Sequence, residues 1–311
     1  MPTEHATVRV VHKPWGSRDL QPWSSVDGSG EAVGELWFER ADVDAPTPAL
    51  LLKLLFTSEP LSIQVHPDDT FARAMGMPNG KSEAWYILSA TPDAQIGVGL
   101  KHQVTPQQLR ASIKDGSITD LVHWRPVVGG DVIYIPAGTI HAVGAGIVLA
   151  EIQQRSDATF RLFDYGRQRE LHEDNGVAVA HPWPLRTPCH PTQLTAERTV
   201  LVASRHFVLE RVELPAGSSW ALLAEPETWM LVLDGHAAIG LAAASVGEAI
   251  FVAGGRSSIE VGSGGLKALI AYPASRPVAS LLQRLGAQPG NHANPVASAM
   301  PEFAGPAEMQ A

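Results

Sequence analysis

Gly130-Asp131-Val132-Ile133-Tyr134-Ile135-Pro136-Ala137-Gly138-Thr139-Ile140-His141 sets a short apolar run between glycines and a proline, in a G-x5-P-x-G-x2-H spacing. The glycines and the proline predict a tight turn between two strands, with His141 aimed into the mouth of a barrel. Runs of the same kind recur outward from this stretch: Leu50–Phe56, Ser62–Val65, Ala84–Leu88, Ile147–Ile152, Val208–Leu214, Trp229–Leu233, Ala249–Val252 and Leu266–Tyr272. Each is bounded by Gly, Pro, Asp or Ser, the rhythm of an all-β sandwich or barrel, and 28 Gly with 24 Pro leave little room for long helices. The glycine-rich stretch around Gly28, Gly30 and Gly34 misses the dinucleotide-binding spacing and is expected to be a surface loop.

The chain has 311 residues, of which 45% are hydrophobic, enough for a sizeable core. Lys and Arg number 23 against 32 Asp and Glu, a net charge of −9, which disfavours binding to nucleic acid or to an anionic membrane surface. The single cysteine, Cys189, rules out an internal disulfide and any multi-cysteine metal site, and is expected to be inert. A metal site would therefore draw on the 12 histidines together with carboxylates and amides. No export signal or membrane-length apolar run is visible, so the protein is expected to be cytoplasmic.

Two short helical insertions are predicted. Thr105-Pro106-Gln107-Gln108 carries a capping Thr, a Pro at the first helical position and a Gln three residues after the cap, with Gly116 as the stop. A second helix is expected near Asp68, burying Phe71, Ala72 and Met75. The Pro-rich stretch 182–191 marks a boundary, giving residues 1–185 as a first module with the helical insertion and 186–286 as a second, barrel-like module with few candidate ligands. Residues 287–311, rich in Pro and Ala, are expected to be a disordered tail. Nothing in the sequence sets an oligomeric state.

The candidate chemistry gathers between residues 53 and 167. In Ser62-Ile63-Gln64-Val65-His66, Gln64 and His66 stand two apart and share one face of a strand. Gly80-Lys81-Ser82-Glu83 brings a carboxylate to the start of another strand. With His141 these make two imidazoles, one carboxylate and one amide oxygen, a donor set suited to one zinc ion with a position left for water or a substrate.

The G-x5-P-x-G-x2-H element resembles the second cupin motif. Leu61-Ser62-Ile63-Gln64-Val65-His66-Pro67-Asp68, the Gly-Lys-x-Glu of residues 80–83, and Gln153-Gln154-Arg155-Ser156-Asp157-Ala158-Thr159-Phe160-Arg161 resemble the type I mannose-6-phosphate isomerases in their compact form. Lys13-Pro14-Trp15-Gly16 is similar to the family's N-terminal stretch, and Glu35-Leu36-Trp37-Phe38 is a loose version of its Glu-Ser-Trp-Glu element. The resemblance implies a mainly β fold of two double-stranded β-helix (cupin) jelly-roll modules with short helical insertions. It implies that Gln64, His66, Glu83 and His141 hold zinc, and that catalysis centres on Arg161 with Lys81 and Asp157 nearby. It places the phosphate of a small sugar substrate at Lys53, Ser62 and Arg167.

An aldose–ketose isomerisation moves a proton between C1 and C2 through a cis-enediolate, and needs a base, a proton shuttle and a cation over the developing charge. Arg161 would stabilise the enediolate, Lys81 would handle protons with its pKa lowered by the metal, and Asp157 would assist ring opening or orient Arg161. A metal-containing cupin that only binds or senses sugars, and a cupin dioxygenase using iron, are the competing classes.

Overall fold

The structure is a computed structural model that describes residues 3–28, 30–185, 190–225 and 227–286. The expected module boundary at 185/186, Cys189 and the expected tail 287–311 lie outside the described residues. In chain order the first half runs β1 (Thr3–His5), β2 (Thr7–Ser17), β3 (Val33–Glu39), β4 (Leu50–Thr57), β5 (Ile63–Val65), α1 (Asp69–Ala74), β6 (Glu83–Ala90) and β7 (Gln95–Leu100). It continues with α2 (Pro106–Asp115), α3 (Ile118–Leu121), β8 (Val122–Pro126), β9 (Val132–Ile135), β10 (His141–Val143), β11 (Ile147–Gln154), β12 (Phe160–Phe163) and α4 (Glu173–Val179). The second half is strands alone: β13 (Thr192–Gln193), β14 (Arg198–Ala203), β15 (Val208–Leu214), β16 (Ser219–Ala224), β17 (Thr228–Ile239), β18 (Ala242–Ser245), β19 (Ala249–Val252), β20 (Gly255–Tyr272) and β21 (Leu282–Leu285).

A six-stranded sheet in the order β2-β3-β4-β11-β6-β9 faces a five-stranded sheet in the order β12-β5-β10-β7-β8, and the strands pair antiparallel throughout. Leu55, Trp85, Ile87, Ile133 and Leu149 from the first sheet meet Ile96, Val98 and Val143 from the second in one apolar core. This is the jelly-roll sandwich that the short, evenly spaced strands predicted. Both sheets are covered on their outer faces, so β4 is buried along its whole length and reads as a continuous apolar run rather than an alternation. The outer face of the five-stranded sheet carries the helices: Leu109, Ile113 and Ile118 pack on Ile63, Val65, Ile140, Ala142 and Leu162.

The outer face of the six-stranded sheet meets the second module. Leu36, Phe38, Leu54, Phe56, Ala84 and Ile152 share a core with Phe207, Trp229, Leu231, Phe251 and Leu269. β1 crosses over to pair with β19, so Thr3–His5 belong to the second module's ten-stranded sheet.

α2 forms where expected. Thr105 accepts from the Gln108 N–H, Gln108 returns the bond to the Thr105 N–H, and Gly116 ends the helix at φ 80°. α1 also forms, capped by Asp68, but it runs for six residues only. Ala72 is its buried position, Phe71 is half-buried and Met75 is exposed, so Met75 is not part of its packed face as expected. The glycine-rich stretch is likewise not all loop: Gly34 sits inside β3, where a Cβ would meet Lys13 Cβ at 2.5 Å. The hydrogen on Gly34 lets the Lys13 side chain cross the strand.

Candidate metal centre and substrate cleft

Three elements of the sandwich bring His66, Glu83 and His141 together. Gly138, with φ 85°, makes the tight turn of the quoted stretch, and its N–H donates to the His66 carbonyl at 2.8 Å. A Cβ at Gly138 would stand 2.7 Å from the His181 ring, so a side chain does not fit there. His141 opens β10 and lies opposite Gln64 of β5. Glu83 opens β6, just after Lys81 N–H binds the Pro67 carbonyl at 3.0 Å.

His66 Nε2 is 3.4 Å from one Glu83 oxygen, and His141 Nε2 is 3.3 Å from the other. Among the described residues this is the one cluster of His, Cys, Asp or Glu whose ligand atoms converge, all within 4.8 Å of one another. All three side chains are 1% exposed. His66 Nδ1 faces the Ala158 carbonyl and His141 Nδ1 the Thr139 carbonyl, each at 2.8 Å. With Nδ1 donating there, both Nε2 lone pairs face the carboxylate, the tautomer that a metal ligand requires. His66 Nε2 and both Glu83 oxygens have no hydrogen-bond partner among the described residues. Buried acceptors turned toward one point fit a cation, and the nitrogen–carboxylate mix fits zinc.

Gln64 adjoins the cluster, with Nε2 3.3 Å from His141 Nε2 and Oε1 accepting from Ser62 Oγ at 3.1 Å. A half-turn of the amide exchanges these two atoms. It would bring the oxygen to the ligand cluster and let the nitrogen donate to Ser62.

Burial, then the Lys81 ammonium, lowers the His66 imidazole to about 3, and burial lowers His141 as well. Burial alone would raise Glu83, but Lys81 and the two imidazoles outweigh it and hold the carboxyl well below its ordinary range. The cluster is thus in its ligating protonation state, neutral imidazoles with an ionised carboxylate, without help from an ion.

A pocket of about 250 Å³ opens beside the cluster, lined by Lys53, Ser62, Gln64, Lys81, Asp157 and Arg161 among the expected site residues. Lys13, Glu35, Glu151, Thr159 and Arg169 line it too. Lys53 and Glu151 are direct partners across β4 and β11, with Nζ 3.2 Å from the carboxylate. Glu35 lies 3.6 Å on the other side of Lys53, and the ammonium rests 4.5 Å over the Trp37 ring. Trp85 Nε1 donates to the other Glu151 oxygen at 3.0 Å, and Lys81 Nζ stands 3.2 Å from Glu83. Burial opposes the charge on Lys81, but Glu83, Glu151 and Glu35 hold its pKa above the ordinary lysine value. The protein's own groups therefore favour the charged form of Lys81. Burial and then Glu83 raise the Glu151 carboxyl. Asp157 is exposed at the mouth. Arg161 pairs with Gln64 across β12 and β5, and its Nε is buried with no hydrogen-bond partner among the described residues.

Arg167 is not brought to the pocket. Its guanidinium bonds Glu59, the Pro60 carbonyl and Asp164. Glu151, like Lys53, is a lone charge inside an apolar run, whereas Arg169 sits in a charged stretch indistinguishable from surface.

No family model matches the chain. Mannose-6-phosphate isomerase from Streptococcus mutans is 35% identical over 223 residues, covering 68% of this chain and 70% of the relative. Mannose-6-phosphate isomerase ManA from Bacillus subtilis is 33% identical over 221 residues, covering 67% and 70%. The crystal structure of the mannose 6-phosphate isomerase from Bacillus subtilis superposes with a TM-score of 0.76 at 23% identity, over 88% of this chain and all of that one, which shows a shared fold. Among the described residues no helix is long and apolar enough to cross a membrane. With relatives at this identity along two thirds of its length and a jelly-roll that carries a His-Glu-His cluster at the same expected motifs, the chain belongs to the mannose-6-phosphate isomerase family and is a cupin-fold sugar isomerase.

Proposed function

We propose that this enzyme interconverts mannose 6-phosphate and fructose 6-phosphate with one zinc ion held by Gln64, His66, Glu83 and His141. The observation that carries the metal is the convergence of His66 Nε2, His141 Nε2 and the two Glu83 oxygens at a buried point beside a cation-lined pocket. When bound, zinc would supply a Lewis acid able to polarise the sugar's O1 and O2.

The chain's own residues divide the remaining work. Arg161, with a buried donor left unpaired at the pocket wall, stabilises the negative charge of the enediolate as hydrogen passes between C1 and C2. Glu151, more basic than an ordinary carboxylate, is suited to accepting and returning that proton. Lys81 stays charged between Glu83 and Glu151 and offers hydrogen bonds to the substrate's hydroxyl oxygens. Asp157, at the mouth, receives a hydroxyl proton during ring opening. Lys53 is shared by Glu35 and Glu151 and fixes both carboxylates on the pocket floor. An Arg161→Gln variant is expected to lose about 100- to 1000-fold in kcat, the scale of one oxyanion donor.

A coupled assay in deuterated water tests the reading. Mannose 6-phosphate should yield fructose 6-phosphate with solvent deuterium at the transferred position, and chelation should stop it. Metal-replete protein that turns over neither sugar phosphate would refute the reading.

A further inference from the structure

Lys81 lines the pocket and Glu83 faces the two imidazoles, and a single residue, Ser82, separates them. Ser82 is held on every side. Its N–H donates to Gln154 Oε1 at 2.9 Å and its carbonyl accepts from the Gln154 N–H at 3.1 Å. Its Oγ accepts from the Ala137 N–H at 3.2 Å. Gln154 ends β11, and Ala137 belongs to the turn that leads to His141.

The start of the same strip is tied to the loop that follows His66. The Gly80 N–H donates to Asp69 Oδ1 at 2.9 Å, and the Lys81 N–H to the Pro67 carbonyl at 3.0 Å. A Cβ at Gly80 would stand 2.4 Å from the Asp68 carbonyl carbon, so glycine is what lets the strip lie this close.

Asp69 and Gln154 also meet each other, because Gln154 Nε2 donates to the same Asp69 oxygen at 3.0 Å. Both ends of the amide are thereby assigned, the oxygen to Ser82 and the nitrogen to Asp69. A half-turn would set donor against donor and acceptor against acceptor, so this amide has one orientation, unlike that of Gln64. Burial would raise the Asp69 carboxyl, but the bonds from Gln154 and Gly80 outweigh it, so a carboxylate accepts both. Neither Asp69 nor Gln154 lines the pocket. What the pair fixes is the relative placement of three backbone segments, each next to one ligand: the loop after His66, the strip before Glu83 and the turn before His141.

We propose that Asp69 and Gln154 are positioning residues for the metal centre. Through one shared carboxylate oxygen and one oriented amide they clasp Gly80–Glu83, setting Glu83 toward the imidazoles and Lys81 toward the pocket. This rests on the zinc isomerase reading for what the centre does.

The test uses the full chain and three readouts: zinc affinity by competition with a chromophoric chelator, the visible spectrum of the Co(II)-loaded protein, and isomerase rates at saturating zinc. D69A and Q154A should each weaken zinc about 10- to 100-fold, the range for residues that orient metal ligands, and shift the cobalt bands. At saturating zinc kcat should fall about 10-fold with KM within about threefold, because neither residue touches the substrate. D69N keeps the acceptor oxygen and should return zinc affinity to within about threefold of wild type. The D69A/Q154A double variant should bind zinc within about threefold of the weaker single variant, since each change breaks the same clasp. R198L, in the second module, should leave zinc affinity and the cobalt spectrum unchanged, which separates the clasp from a general loss of stability. If Q154A does not fold, the comparison of D69A with D69N carries the test. Folded D69A and Q154A with wild-type zinc affinity and cobalt spectrum, or additive losses in the double variant, would overturn the assignment and leave the isomerase reading standing. A wild-type protein whose zinc depends on the clasp but which isomerises nothing would refute the isomerase reading and still support the positioning role.

Discussion

His66 titrates at about 3 in the folded chain because burial and Lys81 both penalise its charged form, whereas an exposed imidazole titrates near 6.5. Between those values the unfolded chain binds a proton that the folded chain refuses, so stability falls as pH drops through 6.5 toward 3. Glu83, held well below its ordinary value, pushes the same way at the acid end, since its stabilisation is lost as pH falls through its folded pKa. Chelated wild-type protein is therefore expected to lose roughly 2 kcal/mol from His66 alone between pH 6.5 and pH 5, and His66→Gln to flatten that slope. Urea unfolding at a series of pH values measures it; parallel curves for the two proteins would show that the slope does not originate in His66. At this scale the sequence was informative where residue type limits chemistry. Imidazoles and a carboxylate at motif spacing pointed to the cluster, and the structure brings His66, Glu83 and His141 within ligand distance. Arg167 and Arg169 are equally good candidates by residue type. Only the turn after Asp164, where Tyr165 and Gly166 have positive φ and Arg169 bonds the Asp164 carboxylate, decides which faces the pocket.

Elements were legible where one signal dominated. β9, β15 and β19 span the very residues read from their apolar runs, and α2 formed between a capping box and a left-handed Gly. The first residues to β3 were not read as strands, because Lys13, Gly34 and Glu35 break the apolar pattern; Lys13 and Glu35 face a cleft rather than a core. α4 was missed for lack of a capping side chain at His172; Val177 and Val179 pack it on the core beneath the helices, and Arg110 bridges to Glu173 and Asp174. In the second module Arg198 binds Glu210 through two bonds, Tyr272 donates to the same carboxylate, and Arg198 also reaches the carbonyls of Val278 and Ala279. No sequence pattern announces such a network, since its members are scattered over β14, β15 and β20. Arg198→Leu should destabilise by roughly 3–5 kcal/mol by leaving the buried Glu210 carboxylate without its cation. Kinetic constants of the folded fraction should not change, because the network is confined to the second module. Unfolding curves together with active-site titration check both statements.

At the scale of the molecule, the shared core of Leu54, Phe56, Trp229 and Phe251 couples the two modules into one folding unit. The second module thereby covers the back of the sheet whose front carries Lys53, Glu83 and Glu151. Phe251→Ala, at a position 1% exposed, is expected to cost roughly 3–5 kcal/mol while the melt keeps a single transition. Two separated transitions in calorimetry would show that the modules unfold independently. The negative charge of the whole chain and the cation-lined cleft are compatible because the cations are few and local: Lys13, Lys53, Lys81, Arg161 and Arg169 gather on one pocket of an acidic protein. The central claim is that this pocket works around a metal held by His66, Glu83 and His141. Its most direct measurement is titration of zinc into chelator-stripped protein while mannose 6-phosphate turnover is followed. Activity should rise linearly to one equivalent in the wild type and stay near zero in His141→Ala; full turnover by metal-free protein, or unchanged zinc stoichiometry in His141→Ala, would contradict it.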